Sequence, residues 1–91
     1  MGVTAENVAE RYGITRSQQD EFAVESQRRA AHALASGYYE EQIAPLEIRT
    51  RKGTTVFRTD EHVRDGVTLD QLGGMKPVFV KENGTVTPGN A

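Results

Sequence analysis

His32, His62 and the adjoining carboxylates Asp60 and Glu61 are the side chains of this sequence whose types could hold a metal ion or move a proton. Their spacing argues against both. Three consecutive side chains, at positions 60 to 62, cannot converge easily on one ion, and no fourth ligand stands at metal-site spacing. His32 lies among alanines and His62 in a polar run, settings in which a lone histidine is a structural or solvated group. Cysteine is absent, which removes a disulfide framework, a cysteine-based zinc site and a thiolate nucleophile. No catalytic residue and no metal site are therefore assigned. Arg64, in the run DEHVR, is a charged guanidinium in a polar loop. By composition alone it reads as a solvated loop arginine. The basic run RTRK, residues 49–52, is too short for nucleic acid and reads as a hairpin tip.

The composition bounds the partners. Eleven basic and 13 acidic residues are mixed along the chain and leave a net charge of −2, so there is no basic face of the kind that drives nucleic-acid binding. Hydrophobic residues make up 36% and aromatic residues 7%, with no tryptophan. That is thin material for a domain of 91 residues standing alone, and a chain that leans on another body is expected. The start, MGVTAENVAERYG, carries acidic residues and no apolar run. It is neither a secretory signal nor a membrane span, and a cytoplasmic location with no membrane partner follows as the expectation. Gly2 and Thr4 approach a myristoylation start, but Glu6 stands where serine or threonine is needed.

The elements that must position these side chains follow from caps and periodicity. Thr4 reads as the N-cap of a short helix that Gly13 ends. Thr15 and Gln18 then have capping-box spacing with Ile14 at the staple position, and a second helix runs over residues 16–36 to Gly37. Gln19, Phe22, Ala23, Ser26, Ala30, Ala33 and Leu34 share one face of it, small enough for another surface to approach. Glu10, Glu21, Glu25, Arg28 and Arg29 fall elsewhere and read as solvated surface. Residues 43–48 and 54–57 read as two short strands, with Pro45 confining the first to an edge. The run TDEHVRDG, residues 59–66, is a polar loop, and Thr68 caps a brief helix through Leu72 that Gly73 and Gly74 stop. The fold class is α+β: two N-terminal helices, a short β-hairpin and extended loops.

Three segments carry a resemblance: MGVTAENVAERYGITRSQQDEFAVESQRRA, RKGTTVFRTDEHVR and the ending GTVTPGNA. In their order and spacing they resemble the thiolase family, most closely its acetyl-CoA acetyltransferases, over nearly all 91 residues. The resemblance implies that residues 1–91 form the lid-like loop domain inserted in the N-terminal half of a larger α/β thiolase fold. That lid covers coenzyme A, the substrate, and helps assemble a homo-oligomer, while cysteines and a histidine outside this chain carry the chemistry. It further implies that Arg64 meets the adenine and phosphate end of CoA. Phe79, with Val78 beside it, would line the pantetheine channel, and Met1 would lie near the acyl pocket as a flexible thioether. Gln71 and Pro88 depart from the serine and alanine usual in the family, so no CoA contact is assigned to them. No covalently bound cofactor is implied. The expected partners are CoA or acyl-CoA and the remainder of the enzyme, and the chain alone is expected to be inactive. The alternative is a stand-alone CoA-binding or assembly module without catalysis, and a weaker one a small helical interaction protein with no CoA role.

Overall fold

The computed structural model describes residues 1–91. Helix α1, Gly2–Tyr12, is followed by α2, Arg16–Ala35, a hairpin of β1, Leu46–Thr50, and β2, Gly53–Phe57, and the short α3, Leu69–Gly73. Thr4 is not the cap of α1. Met1 occupies that position without a side-chain hydrogen bond, and Thr4 lies inside the helix. The helix can begin earlier because Ala5 N–H donates to the Met1 carbonyl at 3.0 Å, closing a first turn that needs no hydroxyl. Gly13 ends α1 in the left-handed region, where a residue without Cβ meets no steric penalty.

α2 opens as its sequence dictates. The Thr15 hydroxyl accepts from Gln18 N–H at 3.2 Å, and Thr15 N–H donates back to Gln18 Oε1 at 2.9 Å. The same reciprocal pair, Thr68 and Gln71, opens α3. Gln71 thus has a task of its own as a capping partner.

The apolar face expected on α2 is only partly covered. Gln19, Ala23, Ala30, Ala33 and Leu34 are half-buried, whereas Ser26 is exposed and Phe22, the intended anchor, is 79% exposed. The one fully buried position of the helix is Asp20, one turn from Arg16. The chain's own packing against α2 therefore centres on a polar side chain, and the Phe22 side is left without a cover.

The first strand also begins later than residue 43. Ile43 N–H donates to the Tyr39 carbonyl at 3.0 Å, which places it in a helical turn after α2. Pro45 has no N–H to give a ladder, so pairing starts at Leu46. β1 and β2 are antiparallel, with Leu46 opposite Phe57 and Ile48 opposite Thr55, and Arg51 and Lys52 form the tip. Both faces of the hairpin are exposed.

Five of the 91 residues are buried: Ala9, Leu72 and Val86, with Asp20 and Thr87. They gather where α1, the start of α2, α3 and the C-terminal segment meet. The Cα radius of gyration is 17.2 Å and the extents are 49 × 30 × 22 Å. A compact domain of this length would have a radius of about 12 Å. The chain is an extended body with one small junction, and its hairpin stands clear of it.

Candidate functional site

Arg64 reaches its position through its backbone. Its N–H donates to Gln27 Oε1 of α2 at 2.9 Å, which ties the polar loop to the middle of the long helix. Its guanidinium forms no ion pair or hydrogen bond within the chain and stays exposed. It borders a cleft of ≈ 480 Å³ whose walls include Gln27, Arg28, Ala31, His32 and Val67. Arg28, Arg64 and the carboxylate of Asp65 are the charged groups on this rim. His32 shares the cleft, a closeness that 32 residues of separation from Arg64 hid in the sequence. Arg28 is already engaged: its guanidinium donates to Glu25 at 2.8 and 2.6 Å, and Arg29 donates to the same carboxylate at 2.8 Å. Arg28 first, then Arg29, hold the Glu25 carboxyl down at about 2. Arg64 is the cation of this rim with its charge uncommitted.

Met1, Val78 and Phe79 lie elsewhere. The ring of Phe79 sits against the Gly2 Cα so closely that a Cβ at that glycine would overlap it, which brings Phe79 to the first turn of α1 beside Met1. Val78 N–H donates to the Val86 carbonyl at 3.1 Å, fastening the same loop to the C-terminal segment. All three side chains are exposed. None of them lines the Arg64 cleft. The structure thus forms two groups, one around Arg64 on the flank of α2 and one around Met1 and Phe79 at the start of α1.

A polar network joins α1 and the start of α2 to the C-terminal segment. Glu6 accepts from Thr85 N–H at 2.8 Å, from Val86 N–H at 2.7 Å and from the Thr85 hydroxyl at 2.9 Å. The Val86 amide, ahead of the Thr85 amide and hydroxyl, holds the Glu6 carboxyl below its ordinary range against the opposing effect of burial. Arg16 donates to Asp20 at 2.9 Å and to the carbonyls of Leu72 and Met75 at 2.6 and 2.9 Å. Asn90 donates to Asp20 at 3.0 Å and to the Thr85 carbonyl at 2.8 Å, and accepts from Thr87 N–H at 2.9 Å. Glu6, Arg16, Asp20 and Asn90 set the junction that carries residues 77–80. They carried no periodic signal, although all four stand in the segments quoted for the resemblance. His62 N–H donates to Asp60 Oδ1 at 3.0 Å, so Asp60 shapes a local turn.

Known proteins match this chain over its whole length. The family model described as "Thiolase, N-terminal domain" matches residues 1–91. The beta-ketothiolase BktB of Cupriavidus necator is 59% identical over 91 residues, and an acetyl-CoA acetyltransferase of Escherichia coli is 53% identical. Both matches take in all of this chain and 23% of the relative. Among solved structures, the Bacillus anthracis acetyl-CoA acetyltransferase superposes with a TM-score of 0.94 at 49% identity, covering 100% of this chain and 23% of that one. Human mitochondrial 3-ketoacyl-CoA thiolase gives 0.88 at 45% identity, covering 97% and 22%. The helices and hairpin are therefore a part of a larger α/β enzyme fold. The chain belongs to the thiolase family and corresponds to part of its N-terminal domain. It spans about a quarter of the length of those relatives.

Proposed function

We propose that residues 1–91 act as the CoA-covering lid of a thiolase, an acyltransferase acting on acyl-CoA, and that the chain by itself is not catalytic. The observation that carries the reading is the uncommitted guanidinium of Arg64, bordering a cleft on the flank of α2, in a chain 59% identical to a beta-ketothiolase. A second group, Met1, Val78 and Phe79, stands apart from it and is apolar. An elongated ligand with a phosphate-rich nucleotide at one end and a thin arm at the other suits such a division. Arg64 would stack on the adenine or donate to phosphate, Phe79 and Val78 would flank the arm, and Met1 would approach the acyl end.

The same reading places the exposed Phe22 side of α2 and the hairpin against the remainder of the enzyme and its homo-oligomer. With five buried residues, the chain has little core for a stand-alone module. No helix is long and apolar enough to cross a membrane.

Titration of the 91-residue chain with CoA, followed residue by residue by NMR, tests the site. Shifts are expected at Gln27, His32 and Arg64 to Val67, and Arg64→Ala is expected to weaken binding about tenfold, as loss of one charge-assisted contact would. Shifts that persist unchanged in Arg64→Ala would remove Arg64 from the site.

A further inference from the structure

Asn83 is the one non-glycine residue of the chain with positive φ, 58°, and it is exposed. Asparagine tolerates this conformation better than most residues. Gly84 follows it, and Gly84 N–H makes no hydrogen bond. A side-chain amide in solvent, next to a main-chain nitrogen that makes no hydrogen bond and whose residue has no Cβ to hinder approach, is the pairing in which the backbone nitrogen attacks the asparagine side-chain amide. We infer that Asn83 is a site of spontaneous deamidation, and that the isoaspartate formed there loosens the segment held by Glu6. This inference is independent of the CoA reading.

The chemistry needs only water. The Gly84 nitrogen attacks Asn83 Cγ, a C–N bond forms, and the side-chain nitrogen leaves as ammonia with the proton lost by Gly84. Water then opens the resulting five-membered imide at either carbonyl, giving aspartate or isoaspartate, with no oxidant or reductant involved. Isoaspartate inserts a methylene into the main chain. Gly84 is closely packed on one side, where a Cβ would overlap the Val80 carbonyl oxygen and lie 2.8 Å from Pro77 Cβ. The next two residues, Thr85 and Val86, are those whose amides bind Glu6. The other asparagines are protected: Asn7 lies within α1, and Asn90 is held by Asp20, Thr85 and Thr87 and precedes alanine.

The test is to age the intact chain at mildly alkaline pH and map it by tryptic digestion and fragmentation, with isoaspartyl methyltransferase labelling. Cleavage after Lys81 leaves Asn83 and Asn90 in one peptide whose fragments separate them. Asn83 is expected to convert about tenfold or more faster than Asn90 or Asn7, since its successor alone lacks a Cβ. Asn83→Ser should abolish that conversion. Equal rates at the three sites, or none, would overturn the site. Hydrogen exchange of the Thr85 and Val86 amides is expected to speed up in the isoaspartate form, and unchanged exchange would overturn the link to Glu6.

Discussion

Glu6 is the side chain on which the junction depends most. Three donors from Thr85 and Val86 converge on its carboxylate, so its charged form is the one the fold stabilises. Its folded pKa lies below the 4.5 of an unhindered carboxyl. The clamp therefore contributes in full above that value and is lost as pH falls through the lower folded pKa. The Thr85 and Val86 amides should lose protection in that acid window, as hydrogen exchange would record. In Glu6→Gln that acid dependence should disappear, and stability should fall by about 1 to 3 kcal/mol, because two backbone donors lose an ionised acceptor. A wild-type clamp that stays protected throughout acidification would contradict the assignment. Such pairings were illegible beforehand for a physical reason. They join residues up to 80 positions apart, and a carboxylate accepting from backbone amides requires nothing recognisable of the residues that supply them.

Elements were more legible, because caps and breakers act locally. The Thr15 and Gln18 box, the left-handed Gly13 and Gly37, and the Arg51 and Lys52 tip all follow from residue types within four positions of one another. The places where the reading failed are those where a local preference was outweighed. Thr4 could cap, but α1 begins at Gly2 with its first turn closed by main-chain atoms and Phe79 packed on that glycine. Ile43 has strand propensity, but the turn after Gly37 captured it. Thr15→Ala should cost about 1 kcal/mol, since the hydroxyl is the acceptor for an otherwise orphan N–H. Comparing thermal unfolding of the two forms by circular dichroism checks this, and no change would mean that the start of α2 is held instead by Arg16 on the carbonyls of Leu72 and Met75.

At the scale of the whole molecule, the spread-out shape and the bare Phe22 and hairpin faces agree with the thin apolar composition. A sequence with few large apolar residues, spread along an extended chain, leaves most of them uncovered by its own packing. The family likeness was legible from motif order, whereas the grouping of candidate residues was not. Arg64 and Phe79 are 15 positions apart, yet they belong to opposite attachments, one through Gln27 and the other through Gly2. The measurement that tests the account most directly replaces the matching segment of the Cupriavidus necator beta-ketothiolase with these 91 residues and follows thiolysis in the assembled enzyme. The account predicts turnover in the chimera and none in the 91-residue chain alone, with Arg64→Ala raising KM for CoA about tenfold and leaving kcat nearly unchanged. A chimera that assembles like its parent but does not turn over, or an unchanged KM in Arg64→Ala, would contradict it.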